Sequence, residues 1–174
     1  MTSEDTVING TDGADYITTN YLRSDTTTHF LYANGGNDSI YNYADYIVVD
    51  SGNGNDYIDN RNSGEHATVL TGEGNDIVYN SNSYQLINGG SGSDSVYVSG
   101  YHNTVYAGQG DDTIKSSGNQ NIIYAEQGWN TIEISNGNNN VTAISGDGND
   151  TIQIGYAVSH YSSNNVLGAV CKPK

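Results

Sequence analysis

The sequence has few basic residues, a single cysteine and no long apolar run. Five Lys and Arg residues stand against 20 Asp and Glu residues, which gives a formal net charge of -15 at pH 7. Such a charge repels nucleic acid and anionic membranes, so neither is an expected partner. The single cysteine, Cys171, excludes an internal disulfide framework. No segment reaches the roughly 18 apolar residues that a membrane-spanning helix needs.

Apolar residues are also scarce for a folded chain. Hydrophobic residues make up 34% of the 174 positions, and 22 positions are glycine. Little apolar area is therefore available to offset the conformational entropy that the chain loses on folding. Without a further source of stability, we expect the chain to be unfolded or loosely collapsed.

A glycine-rich motif recurs along the chain. It has the form Gly-x-Gly-x-Asp, followed by any residue and then Ile or Val, and its cleanest copies end at Asp56, Asp76, Asp94, Asp112 and Asp150. Looser copies end at Asp15, Asp38 and Asn130, and successive copies are 18–23 residues apart. Because each repeat of fixed period is one structural unit, stacking of these units is expected to be the fold.

Each 18-residue unit contains a second, weaker half-repeat. Residues 116–123 are an example, in which Asn121 stands where the aspartate would be. Each unit is therefore two nonapeptides, which predicts two short strands and two turns per coil. Aliphatic residues recur two positions after each aspartate and seven before it, as Ile114 and Val105 do around Asp112. These columns predict a thin core that forms only when coils stack.

The nonapeptide Gly-Gly-x-Gly-x-Asp-x-U-x, with U a large aliphatic residue, is the hemolysin-type calcium-binding (RTX) repeat, and residues 8–154 resemble it. The resemblance implies an all-β fold, a right-handed parallel β-roll (a β-solenoid) of about eight coils of 18–23 residues. Residues 1–7 are then an N-terminal lead-in, and residues 155–174 a C-terminal half-coil and tail. In a standard RTX roll both turns of a coil carry the glycine motif, whereas here only one turn does. The resemblance therefore implies calcium along one edge and a metal-free opposite edge.

Several calcium ions are expected in a row along the glycine-rich edge. Calcium takes 6–8 oxygen ligands from carboxylates and backbone carbonyls, and glycine lets a turn direct its carbonyls toward a common centre. Strands stack about 4.8 Å apart, so aspartates of successive coils would repel each other unless a cation lies between them. The expected ligands are Asp15, Asp38, Gly52, Gly54, Asp56, Gly72, Gly74, Asp76, Gly90, Gly92, Asp94, Gly108, Gly110, Asp112, Gly146, Gly148 and Asp150. In the alternative interpretation, the aspartates only cap hydrogen-bonded turns.

The coil that ends at Asn130 departs from the pattern. Glu126 replaces the first glycine, Trp129 occupies the variable position, and Asn130 replaces the aspartate. A neutral amide is a weaker calcium ligand than a carboxylate, so the two sites that flank this coil are expected to be the poorest. Trp129 is either an exposed contact residue or the result of drift in a tolerant repeat.

Aromatic residues recur on the edge expected to be free of metal. Ten positions before the aspartates, His66, Tyr84 and His102 follow one another in successive coils. Together with Trp129 they are the candidate ligand surface, either for stacking on sugars or for proton transfer. The alternative is a solvated ridge that happens to use aromatic residues. No nucleophile motif such as Gly-x-Ser-x-Gly accompanies them, which disfavours an enzyme.

The sequence thus predicts a calcium-binding module of an exported repeat protein, secreted or held at the cell surface. The module would fold on calcium and present a rigid surface for adhesion or structure. One alternative is a carbohydrate-binding module of a polysaccharide-active protein, and a less favoured one is an enzyme that uses the metal-free edge. The expected partners beyond calcium are a polysaccharide or another protein chain, including a second copy bound through an uncapped end of the solenoid.

Overall fold

A computed structural model of the chain describes residues 5–19, 27–62, 65–135 and 141–154. These residues form 16 short strands and no helix, and therefore include no helix that could cross a membrane. Part of the predicted lead-in and the whole predicted tail, residues 155–174, lie outside the described residues. The strands are β1 (Val7–Asn9), β2 (Tyr16–Thr18), β3 (His29–Tyr32), β4 (Ser39–Tyr41), β5 (Ile47–Asp50), β6 (Tyr57–Asn60), β7 (Thr68–Leu70), β8 (Ile77–Asn80), β9 (Leu86–Asn88), β10 (Ser95–Val98), β11 (Thr104–Tyr106), β12 (Thr113–Ser116), β13 (Ile122–Tyr124), β14 (Thr131–Ile134), β15 (Thr142–Ile144) and β16 (Thr151–Ile154).

Consecutive strands alternate between two sheets. The odd-numbered strands form one eight-stranded sheet and the even-numbered strands form the other, each in sequence order. All neighbouring strands within a sheet pair in parallel. The chain therefore crosses from one sheet to the other at every turn and advances by one strand per coil. This is the parallel β-solenoid that the repeat predicts, and the all-β prediction is confirmed.

The strand register keeps equivalent positions of the repeat side by side. Val96 pairs with Val78 of the preceding coil and with Ile114 of the following one. In the other sheet, Val105 lies between Ile87 and Ile123 in the same way. The two predicted aliphatic columns are therefore confirmed as continuous rows.

The core consists of these two rows facing each other between the sheets. Its largest members, all with at most 1% of their surface exposed, are Leu31, Ile40, Ile47, Val49, Ile58, Val69, Val78, Ile87, Val96, Ile114, Ile123 and Ile132. Burial of one such side chain contributes about 1.5–3 kcal/mol. Because a strand supplies only one or two of them, the turns decide much of the stability of a coil.

A row of buried asparagines lies inside the N-terminal coils beside the aliphatic core. Asn42 Nδ2 donates to Asn60 Oδ1 at 2.7 Å, and Asn60 Nδ2 donates to Asn80 Oδ1 at 3.0 Å. In the later coils the same position holds Val98, Ser116 and Ile134. The polar row was not predicted from the sequence, because an asparagine at the end of a strand is usually read as the beginning of a turn.

Candidate metal centre

The glycine-rich turns adopt backbone conformations that only glycine adopts readily. In the coil that ends at Asp94, Gly90 has a φ of 82° and Gly92 a φ of 127°. A Cβ atom on Gly92 would lie 1.8 Å from the carbonyl oxygen of Gly74 in the preceding coil. A Cβ atom on Gly90 would likewise lie 2.0 Å from the carbonyl oxygen of Gly72, so both glycines are required for their positive φ and for the close approach of the coils.

Backbone hydrogen bonds stack these turns on one another. The carbonyl of Gly90 accepts the N–H of Gln109 at 2.8 Å, and the carbonyl of Gln109 accepts the N–H of Gly92 at 2.8 Å. The same two bonds recur between successive glycine turns from the second turn onward. The turns thus form a continuous edge with a fixed distance between equivalent atoms, which places one side chain of each coil beside its counterpart in the next.

The structure brings the seven aspartates and Asn130 into one row along this edge. Asp94 Oδ1 accepts the backbone N–H of Asp76 at 2.8 Å, and Asp112 Oδ1 accepts the N–H of Asp94 at 2.8 Å. Equivalent bonds continue the row in both directions, from Asp15 to Asp150. One oxygen of each side chain from the second coil onward is therefore used to join it to the preceding coil.

The other carboxylate oxygen of most of these aspartates is buried and has no hydrogen-bond donor. This holds for Oδ2 of Asp38, Asp56, Asp76, Asp94 and Asp112. Asp15, in the first coil, differs because its Oδ2 accepts the N–H of Thr11 at 2.6 Å and its hydroxyl at 2.9 Å. A buried acceptor without a partner costs about 1–3 kcal/mol, and more when it is charged. Five such atoms in a row are a cost that a bound cation would offset.

Backbone carbonyls converge on the same space as the unpaired carboxylate oxygens. A Cβ atom on Gly89 would lie 2.4 Å from the carbonyl oxygen of Ala107 and 2.7 Å from Asp94 Oδ2. Sequence reasoning missed these carbonyls. The sequence does carry a signal for these carbonyls, since the residue five positions before each aspartate of the row or Asn130 is always small: Gly10, Ala33, Ser51, Thr71, Gly89, Ala107, Ala125 and Ser145.

The ligands available at this edge are oxygen atoms of two kinds. Within the described residues, no three His, Cys, Asp or Glu side chains come together as a cluster that could hold a metal. A metal at this edge must therefore combine one or two carboxylates with backbone carbonyls. Calcium accepts such a mixed set of oxygens, whereas zinc takes mainly nitrogen and sulfur ligands. The residues present fit calcium.

Burial raises the pKa of the aspartates in the middle of the row. The pKa of Asp94 is raised to about 7, chiefly by desolvation and further by the charges of Asp76 and Asp112. Desolvation also raises the pKa of Asp76 and of Asp112 to about 6. Backbone hydrogen bonds from the neighbouring coils oppose these shifts only in part. Without a cation, the row therefore tends to take up protons near neutral pH.

The coil that ends at Asn130 keeps the backbone of its neighbours but not their chemistry. Glu126 adopts a φ of 66° at the position of the first glycine. Asn130 Oδ1 accepts the N–H of Asp112 at 2.9 Å, and its Nδ2 donates to the carbonyl of Ala125 at 3.2 Å. Trp129 is 67% exposed, and its backbone N–H donates to Asp111 Oδ1. That this coil provides the poorest metal sites remains a prediction.

On the opposite edge, four aromatic rings form a continuous stack. Tyr46, His66, Tyr84 and His102 follow one another with ring centroids 5.0–5.5 Å apart and planes within 11° of parallel. The row expected from His66, Tyr84 and His102 is thus present, and Tyr46 extends it. Because the ring faces are used against one another, mainly the ring edges are left for solvent. That this row binds a ligand remains a prediction, and a ligand would meet mainly the ring edges along it.

Comparison with known proteins agrees with the geometry of the glycine-rich edge. Residues 30–46 and 88–123 match the family model of the RTX calcium-binding nonapeptide repeat, which is found in four copies. These segments include Asp38, Asp94 and Asp112 of the aspartate row. No curated protein and no solved structure matches the chain. The matched repeats and the parallel solenoid together fit an RTX β-roll.

Proposed function

We propose that this β-roll is a structural module that folds on calcium and then presents a rigid surface for adhesion or assembly. The observation that supports it is the row of five buried Oδ2 atoms without a hydrogen-bond donor. Bound calcium would supply the positive charge that these oxygens lack. Proteins with RTX repeats are typically exported, which supports a secreted or cell-surface location.

The proposed calcium ligands are the aspartates and turn carbonyls of the glycine-rich edge. The buried carboxylates from Asp38 to Asp112 each lie between two coils, because each receives an N–H from the preceding coil. One carboxylate can therefore serve two neighbouring ions. The proposed set consists of the side chains of Asp15, Asp38, Asp56, Asp76, Asp94, Asp112 and Asp150, with carbonyls from the glycine turns that contain Gly52, Gly54, Gly72, Gly74, Gly90, Gly92, Gly108, Gly110, Gly146 and Gly148.

Two matched variants test whether calcium lines one edge only. Asp76→Ala removes the acceptor of the Asp56 N–H, and Asn103→Ala removes the acceptor of the Gln85 N–H on the opposite edge. Both variants leave a buried N–H unpaired, so each is expected to lose about 1–3 kcal/mol of stability. Only Asp76→Ala is expected to bind fewer calcium ions, by about one or two per chain. Equal loss of calcium from both variants, measured by titration calorimetry, would place metal on both edges.

The surface presented by the folded roll includes regular rows of tyrosine. On the outer face of the even-numbered sheet, Tyr41, Tyr57, Tyr79 and Tyr97 follow one another with ring centroids 4.6–5.9 Å apart. Since their spacing is set by the strand ladder, the rows keep one shape only while the coils are stacked. A surface of this kind suits a partner with a repeating structure, such as a polysaccharide or another β-roll.

Binding of carbohydrate is the second candidate function, and a cleft at the end of this tyrosine row favours it. The cleft has a volume of about 150 Å³ and is lined by Arg61, Tyr79, Tyr97 and Lys115 together with serine hydroxyls. Arg61 and Lys115 are the only Arg and Lys among the described residues of a strongly acidic chain. Aromatic and polar groups together suit a saccharide. Arg61 is paired with Asp59 at 2.6 Å and Lys115 with Glu133 at 2.9 Å, so the two cations give no preference for an acidic saccharide over a neutral one.

The cleft is tested by affinity electrophoresis in calcium through gels that contain a neutral or an acidic polysaccharide. The double variant Tyr97→Ala/Lys115→Ala is expected to lose at least about tenfold in affinity, a loss of about 1.4 kcal/mol. The control is Tyr106→Ala, because Tyr106 is also a stacked tyrosine but lies in the odd-numbered sheet. If the double variant and the control are retarded equally, the cleft is not the binding site.

A further inference from the structure

Asparagine and aspartate at the same place in a turn differ in the side-chain group that does not accept the N–H of the preceding coil. The two side chains have the same shape, and in both one oxygen accepts an N–H from the preceding coil, as with Asn130 and Asp112. In asparagine the second group is an NH₂ donor, whereas in an ionised aspartate it is another acceptor. The amide can therefore bond to a nearby carbonyl, and the carboxylate cannot.

Asn130 shows this complete pairing on the glycine-rich edge. Its Nδ2 donates to the carbonyl of Ala125, and its side chain is almost wholly buried. In the coil that ends at Asp94, Gly89 stands at the position equivalent to Ala125, and a Cβ atom on it would lie 2.7 Å from Asp94 Oδ2, an atom without a donor. At this position Asp94 presents an acceptor without a donor, whereas Asn130 presents a donor that is paired.

The opposite edge uses the same pairing in three successive coils. Gln85, Asn103 and Asn121 stand nine positions before an aspartate or Asn130, and all three are buried. Their side-chain oxygens accept the N–H groups of Ala67, Gln85 and Asn103, at 2.8–2.9 Å. Their amide nitrogens donate to the carbonyls of Ser83, Asn82 and Gly100, at 2.8–3.0 Å. This edge is built like the glycine-rich edge, but the oxygen and the nitrogen of each of these three side chains are hydrogen-bonded within the chain.

We propose that these amides take the place of calcium. Asn130 joins two coils of the glycine-rich edge without a metal ion. Gln85, Asn103 and Asn121 do the same along the opposite edge, which is therefore independent of metal. The proposal rests on the proposed placement of calcium along the aspartate row. Asn130 thus divides that row into a segment from Asp15 to Asp112 and a separate segment at Asp150. Whether a turn requires calcium therefore depends on whether it carries a carboxylate or an amide side chain at this position.

Reciprocal substitutions in the full-length chain test the proposal. Asp94→Asn places an amide in a turn that carries a carboxylate, and Asn130→Asp places a carboxylate in the turn that carries an amide. Each has a charge-matched control at an exposed asparagine or aspartate whose Oδ1 accepts a backbone N–H: Asp111→Asn for the first and Asn55→Asp for the second. The metal-free state is measured in chelator at pH 8 by titrating the chain with trimethylamine N-oxide, which favours compact states, and following far-UV circular dichroism.

In chelator, Asp94→Asn is expected to fold at a lower osmolyte concentration than the unsubstituted chain, and Asn130→Asp at a higher one. Both shifts should exceed those of the charge-matched controls. In calcium, Asp94→Asn is expected to bind about one ion fewer and Asn130→Asp about one ion more.

The proposal is overturned if Asp94→Asn requires as much osmolyte as the unsubstituted chain, or if Asn130→Asp folds as readily as Asn55→Asp. Failure of the proposed function has a different signature, in which none of the chains binds calcium in calorimetry. The osmolyte midpoints would then still decide whether the amides complete their turns, because that arm of the experiment contains no metal.

Discussion

Removal of calcium at pH 8 is expected to unfold the roll. The folded chain buries five carboxylate oxygens without donors in a single row, and its core is only two aliphatic columns thick. Ionised aspartates of successive coils repel one another, and the apolar core is too small to offset this repulsion together with the loss of chain entropy. Free energy of calcium binding is therefore expected to act as free energy of folding.

The measurements are far-UV circular dichroism and hydrodynamic radius during titration with chelator and then with excess calcium. Strand signal and compactness should disappear with chelator and return with calcium in the millimolar range. Magnesium is the control and should restore little, because it requires tight octahedral geometry and retains its water ligands. A chain that stays compact and rich in strand after exhaustive chelation would contradict the prediction.

Acidification is expected to restore part of the fold that chelation removes. Desolvation raises the pKa of Asp94 to about 7 and the pKa of Asp76 and Asp112 to about 6 in the folded chain, from an ordinary value of 3.8. The folded chain therefore binds protons more tightly than the unfolded chain. This contribution to stability is fully present below pH 3.8 and is lost as the pH rises through 6–7. A shift of one pKa unit corresponds to about 1.4 kcal/mol, so each of these three carboxyl groups contributes on the order of a few kcal/mol.

The test compares osmolyte-induced folding in chelator at pH 5 and pH 8. Folding should require less osmolyte at pH 5, and the difference should shrink in Asp94→Asn, which removes the group with the highest of the three pKa values. In the presence of calcium, folding is expected to be more favourable at pH 8 than at pH 5, because protons compete with calcium for the same carboxylates. Calcium affinity should therefore fall as the pH is lowered from 8 to 5. A metal-free chain whose folding does not change with pH would show that the aspartates are not buried in the folded state.

Sequence spacing predicts which side chains of the site are neighbours, but not which oxygen atom of each side chain lacks a hydrogen-bond donor. The Asp-to-Asp period places Asp76 and Asp94 side by side, and their pairing as neighbours is found in the structure. The spacing does not reveal that Oδ1 is used by a backbone N–H while Oδ2 is left without a donor. Asn130 looked like a weakened ligand in the sequence, yet its amide is fully paired in the fold.

The aromatic residues show the same division. The spacing of His66, Tyr84 and His102 predicts a row, and the structure contains that row. The orientation of the rings is decided by the left-handed backbone at each of these positions, which stacks them face to face. A ligand would therefore meet mainly ring edges along the row, and binding there remains a prediction. The cleft at Tyr79 and Tyr97 was not predicted, since it combines residues from different positions of several coils.

The sequence by itself determined the repeat, its period, the two aliphatic columns and hence the parallel solenoid, because a regular pattern of inward residues has one simple way to stack. It also determined which edge is rich in glycine and carboxylate. Only the tertiary structure decided which oxygens remain unpaired, which carbonyls face them and where an amide closes a turn. The pairing of these oxygens, carbonyls and amides depends on hydrogen bonds between residues 18–23 positions apart in neighbouring coils. Such bonds exist only once the coils are stacked in register.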